Sequence, residues 1–279
     1  MKLLLLLLIT INITGIAPSK NDCNVVNINS KNYEMQILLD NIHQPYQMTV
    51  DPKTNTLFFT YSTEVDSKTV QKVGYVNVAT KEFAEIPGVN GPMATGVDTN
   101  NNIVYFGGKD GIYTYDYATK KAKNMGITNY SIWQMFFCPI HGLLFTTSDG
   151  EKPYYYKDGS VEPFSDLSST KTRLIAVGEN HNIFFANSSG IFVFSHHKGK
   201  AIDLGDYNVN GFTRDVSGKL YFSSPSGFYT VKEKERKMNK LISVNGEETI
   251  WGAAFDKDDN ILYSYDNSIV KLVPTEKQC

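Results

Sequence analysis

An aromatic residue stands seven positions beyond each of six regularly spaced anchors, and no other feature of the sequence restricts its fold so tightly. The anchors are Asp51, Asp98, Cys138, Gly178, Asp215 and Asp256, separated by 47, 40, 40, 37 and 41 residues; the aromatics are Phe58, Tyr105, Phe145, Phe185, Phe222 and Tyr263. Two positions before each aromatic comes Thr56, Ile103, Leu143, Ile183, Leu220 or Ile261. Between anchor and strand lie Asn55, Asn102, Gly142, Asn182, Gly218 and Asn260, residue types that accept the left-handed backbone of a tight hairpin. Each unit therefore opens with a β-hairpin. A third strand follows in segments such as Gly111 to Tyr115, Gly190 to Phe194, Gly227 to Thr230 and Ser268 to Leu272, and a fourth in Phe83 to Ile86, Ala201 to Leu204 and Lys240 to Ser243. Four short strands per roughly 40 residues predict the blade of a β-propeller, here all-β with six blades. A β-sandwich has no need of one motif repeated six times in register. The 17 Tyr, 16 Phe and 21 Gly agree with strands joined by turns.

The ends of the chain predict how the ring closes. Residues 1–19 have the layout of a secretory signal peptide: Lys2, an apolar run from Leu3, then small residues that place cleavage after Ala17 or Ser19. The run is too short to span a bilayer, so no membrane association is expected. Residues 20–279 then form one domain. Only seven residues follow Leu272, too few for a fourth strand in the last blade, and Met35 to Leu39 precedes the first anchor much as Ala201 to Leu204 precedes Asp215. The N-terminal segment is expected to pair antiparallel with Ile269 to Leu272 and complete that blade. This brings Cys23 and Cys279 to one corner, and a disulfide between them is the natural hypothesis for a secreted chain. Cys138, inside an apolar run, reads as a buried small residue. Secretion also makes the sequons at Asn129 and Asn187 candidate glycosylation sites.

The same register locates a candidate site. In a propeller the innermost strands surround a channel, and five positions before the anchors stand Tyr46, Met93, Trp133, Arg173, Asn210 and Trp251, including both tryptophans of the chain. The next positions hold Gln47, Ala94, Gln134, Leu174, Gly211 and Gly252. Strand side chains alternate, so only one of the two sets need face the channel, and the first is favoured. Indole and phenol faces offer stacking area, Met93 is a polarisable filler, Arg173 suits a carboxylate or sulfate, and Gln47, Gln134 and Asn210 offer orienting hydrogen bonds. The competing reading has these aromatics packed between blades, but a guanidinium has little value in an apolar seam. Neither set contains Asp or Glu, which disfavours the calcium-dependent hydrolysis that some six-bladed propellers perform. His196-His197 reads as a turn and not a zinc site, and the mixed-sign run Lys232 to Lys237 as an exposed hairpin. The balance of 27 basic and 29 acidic side chains gives no footprint for nucleic acid.

The stretches Pro45-Tyr-Gln-Met-Thr-Val-Asp51, Asn55-Thr-Leu-Phe-Phe59 and Gly107-Gly-Lys-Asp-Gly-Ile-Tyr113, with the signal-bearing length of about 280 residues, resemble the insect ommochrome-binding proteins over the whole mature chain. The resemblance implies a secreted haemolymph protein, non-catalytic, that carries a small tryptophan-derived pigment such as ommatin D or a xanthommatin-like phenoxazinone. It implies no cofactor beyond the bound pigment. A monomer is expected. The alternative is a secreted propeller hydrolase of the metal-dependent lactonase or esterase type.

Overall fold

The computed structural model describes residues 24–195, 199–243, 249–265 and 267–278. The expected signal peptide, Cys23, Cys279 and the His196-His197 pair lie outside these residues. Strands fall into six antiparallel sheets, and the innermost strands touch their neighbours in cyclic order, so the sheets stand round an axis as six blades. The innermost strands are His43–Asp51, Ala94–Asp98, Ile132–Cys138, Leu174–Val177, Gly211–Arg214 and Ala253–Phe255. Each is hydrogen-bonded to the second strand of its hairpin, Asp51 with Thr56 and Asp98 with Ile103 in the first two blades, and one residue tighter in the other four, as in Cys138 with Gly142.

The hairpins form because the anchor aspartates tie down their own turns. Asp98 Oδ1 accepts the Asn100 and Asn101 amides at 2.9 and 3.0 Å, Asp215 Oδ1 accepts those of Ser217 and Lys219 at 3.0 Å each, and Asp256 Oδ1 accepts those of Asp258 and Asn260 at 2.9 Å each. Asn55, Asn102, Gly142 and Gly218 do adopt positive φ, but in the fourth and sixth blades the left-handed residue is the one before, His181 or Asp259.

The fourth blade has Gly178 for an anchor and so no anchor carboxylate to cap its turn. Glu233 supplies one from the fifth blade, accepting the Glu179 amide and, at 3.2–3.3 Å, the Asn180 amide and the side chains of Asn180 and Asn182. The run at 232–237 is thus a hairpin turn with one member docked on its neighbour. A Cβ on Gly178 would lie 2.0 Å from Glu233 Oε1. Glu233→Ala should therefore lower stability by about 1 kcal/mol. Gly178→Asp should harm the native protein yet restore stability in the Glu233→Ala background, which denaturant unfolding of the four variants checks.

Closure follows the expected route. Lys31–Leu39 lies antiparallel on Ser268–Pro274, pairing Met35 with Leu272 and Leu39 with Ile269. A further strand, Val25–Ile28, folds back on Lys31–Leu39 through Asn29 and Ser30, both at positive φ, and adds a fifth strand to this sheet alone. The repeat register stops at the first anchor and so contains no sign of it. The six register aromatics are all buried, between 0 and 5% exposed, and Cys138 is buried with them. Among the described residues no helix is long and apolar enough to cross a membrane.

Candidate functional site

The six residues five positions before the anchors meet at one end of the channel. Tyr46, Met93, Trp133, Arg173, Asn210 and Trp251 all line a single cavity of about 260 Å³. They converge because Met93, Arg173, Asn210 and Trp251 stand just before an innermost strand, Trp133 is the second residue of one and Tyr46 the fourth of a longer one, all at the same end of the ring. Arg173 lies over Trp133, its guanidinium carbon 4.9 Å from the ring centroid, a cation–π contact that holds the charge at the cavity. Among the described residues no carboxylate pairs with it, and none lines the cavity. Asn210 donates from its side chain to the Ile250 carbonyl at 2.9 Å, and the Trp251 amide donates to Ser264 Oγ at 2.7 Å, which fixes the strand start that carries the second indole.

The opposite wall is polar. Tyr46 donates its hydroxyl to Gln71 Oε1 at 2.7 Å and lies 3.6 Å from Met93 Sδ, while Gln71 Nε2 donates to Ser62 Oγ at 3.1 Å and Ser62 Oγ donates to Gln44 Oε1 at 3.3 Å. Burial pushes the Tyr46 phenol up to about 12, against a smaller opposing effect of Thr60, so it stays a neutral donor at physiological pH. The inner strand of this blade loses register on both sides of Tyr46, and Gln44 and Gln47 both take φ of 47°. Two bulges thus turn Tyr46 toward the cavity, with left-handed backbone at non-glycine residues on its wall.

Gln44, Ser62 and Gln71 are absent from the sequence-derived set. Ser62 and Gln71 sit on the hairpin Thr56–Val65 and Lys68–Asn77, whose ten-residue strands are longer than any other pair in the molecule. The 47-residue spacing of the first unit, the longest of the five, is the trace this extension leaves in the sequence.

The second set of positions scatters. Leu174 joins the aromatic cavity, and Ala94 is buried. Gln47 lines the aromatic cavity and also a second one of about 500 Å³ at the other end of the channel, where Gly211 and Gly252 lie too. Gln134 faces neither cavity. It is 1% exposed, and its amide mimics a strand backbone, accepting the Ile175 amide at 3.0 Å and donating to the carbonyls of Ile175 and Met135 at 3.1 and 2.8 Å. With its donors and acceptor so engaged it bridges the third and fourth blades, and the polar side chains at the cavity wall are instead those of Gln44, Ser62 and Gln71. Of the two sequons, Asn129 is exposed, whereas Asn187 is half-buried with its Nδ2 donating to the Lys171 carbonyl at 3.0 Å.

No protein-family model matches the chain. Among solved structures it is similar in fold to a gluconolactonase, XC5397 from Xanthomonas campestris, with a TM-score of 0.68 at 14% identity over 91% of this chain and 96% of that one. It is also similar to a regucalcin from Agrobacterium tumefaciens, described as a calcium-binding protein, with a TM-score of 0.65 at 12% identity over 87% and 94% of the two chains. These likenesses show the propeller fold. Among the described residues no group of three His, Cys, Asp or Glu side chains is placed to hold a metal ion. In sequence the chain is 66% identical over 277 residues, 99% of its own length and all of the relative's, to the ommochrome-binding protein of Manduca sexta. That identity across the whole length places the chain in the ommochrome-binding protein family.

Proposed function

We propose that this chain is a secreted, non-catalytic carrier of an ommochrome pigment in insect haemolymph, acting as a monomer and holding the pigment in the aromatic cavity. The observation that carries this reading is that both tryptophans, with Tyr46 and an unpaired Arg173, line one cavity free of carboxylates. Ommatins are planar, aromatic and anionic. The indoles offer faces for the fused rings, Arg173 offers a partner for the acid group, and the Tyr46, Gln71 and Ser62 network offers hydrogen bonds to ring carbonyl and imine positions. Metal-dependent hydrolysis requires carboxylate ligands, and among the described residues that line this cavity there is none. The relative's name supports the ligand class. Residues 1–19 would be removed on secretion, and Asn129, the exposed sequon, is the better acceptor for glycan.

Because the chain has only two tryptophans and both line this cavity, its indole emission reports on this site alone. Titration with xanthommatin should quench that emission saturably. Trp133→Ala or Trp251→Ala should each weaken binding by on the order of 1–3 kcal/mol, read from the surviving indole. Arg173→Ala should weaken an anionic pigment more than its neutral ester. Unchanged affinity in all three variants would place the pigment elsewhere.

A further inference from the structure

The larger cavity, about 500 Å³ at the far end of the channel, has no part in the reading above. Its walls include Met48, Met135, Phe136, Phe137, Phe212 and Phe255. Three charged residues line it: Arg214, Asp215 and Asp256. The two carboxylates are already engaged. Asp256, with a fully buried side chain, is ion-paired to Lys271 at 2.7 Å. Asp215 accepts hydrogen bonds within its own turn and, at 2.9 Å, from the Tyr221 hydroxyl. Arg214 is different. One nitrogen donates to the Phe137 carbonyl at 2.8 Å and the guanidinium lies 4.9 Å from the Phe136 ring centroid, but among the described residues no carboxylate meets it.

A guanidinium has five N–H donors, and a half-buried one with a single neutral acceptor leaves most of them without a protein partner and open to solvent. Burial also pulls its pKa below the ordinary guanidinium value, the mark of a charge removed from water without a counter-charge. An anion would supply that counter-charge, and the apolar walls would take an aromatic body beside it. The volume lies within the ordinary range for small-molecule sites. We propose that this chamber is a second ligand site, which takes a small aromatic carboxylate with its acid group on Arg214. The site is distinct from the aromatic cavity, and Gln47 is the lining residue the two share.

The six methionines that follow the signal segment allow the two cavities to be read separately, since Met48 and Met135 line the larger one and Met93 the aromatic one. The test is a titration of the mature chain, labelled with ¹³C at the methionine methyls, with naphthalene-2-carboxylate and with its neutral carboxamide. The carboxylate should shift Met48 and Met135 saturably, and the carboxamide at least tenfold more weakly. Arg214→Gln should weaken the carboxylate at least tenfold, and Arg214→Lys, which keeps the charge, by less. Shifts confined to Met93, no saturable shift at Met48 and Met135, or equal binding of carboxylate and carboxamide would each overturn the proposal. The ligand comparison is made on the native protein, so it decides the matter even where an Arg214 variant does not fold. Xanthommatin binding read at Met93 tests the pigment site independently of either outcome.

Discussion

Phe222→Ala should lower the stability of the protein by about 3–5 kcal/mol, among the largest effects of any single truncation in the core. Phe222 is fully buried, and its ring lies face to face with Tyr229, centroids 4.8 Å apart and planes within 1°. Tyr207 and Phe212 meet it edge-on at 5.5 and 6.4 Å. Removal of the ring forfeits its transfer from water and leaves a void lined by three aromatic neighbours, of which Phe212 and Tyr229 are fixed by strand hydrogen bonds, so collapse into the space is limited. For a domain of this size the loss corresponds to roughly 6–20 °C in melting temperature. Phe222→Leu should recover about half of it. Equilibrium denaturation of the two variants checks the prediction, and a loss below 1 kcal/mol for the alanine variant would mean that the register aromatics do not hold the blades together.

The repeated positions were legible in the sequence because each is imposed by the same local physics six times. An aromatic at the second strand and a small or amide residue at the bend recur in all six units, and an aspartate that caps its own turn in four, because each blade has to bury the same seam and close the same hairpin. Averaging over six copies makes so weak a pattern visible. The cavity residues Tyr46, Met93, Trp133, Arg173, Asn210 and Trp251 share one register position, and the fold brings them together through that shared register. What the repeat could not reveal is whatever one blade does alone. The polar wall of Gln44, Ser62 and Gln71 comes from an elongated hairpin and two bulges confined to the first blade. Gln134 occupies the register position of Gln47, yet the first blade's strand is irregular on both sides of Tyr46 while the third blade's has one irregularity, at Trp133, and the two glutamines meet different surroundings. Glu233 replaces a missing aspartate from a neighbouring blade, a contact that sequence distance conceals. Arg214 differs again: it precedes an anchor and belongs to neither set, so only the cavity around it marks it out.

Lys271→Met should cost about 3–5 kcal/mol near neutral pH, the usual consequence of removing one partner from a buried ion pair. Lys271 belongs to the third strand of the closing blade, opposite Gln36 of the N-terminal strand, and its ammonium reaches Asp256 at 2.7 Å. Burial alone would raise the Asp256 carboxyl; the Lys271 ammonium and the hydrogen bonds from Asn260 overcome it and hold the group below the usual carboxylate value. In the native protein this carboxylate binds its proton less readily than in the unfolded chain, so its contribution is complete above about pH 4 and is lost as pH falls through the folded value. In Lys271→Met the burial penalty stands with less to oppose it, and the folded carboxyl titrates at a higher pH than the native one. Protonation then relieves the uncompensated charge, so the deficit of the variant against the native protein should be largest near pH 7 and shrink toward pH 4. Thermal unfolding of both proteins from pH 7 to pH 4 tests this, and a deficit independent of pH would show that Lys271 acts through packing alone. The same substitution also leaves an unpaired carboxylate on the wall that carries Arg214. A stability loss and a weakened affinity for naphthalene-2-carboxylate should therefore arise together in Lys271→Met, with the affinity recovering as the pH falls and Asp256 takes up its proton.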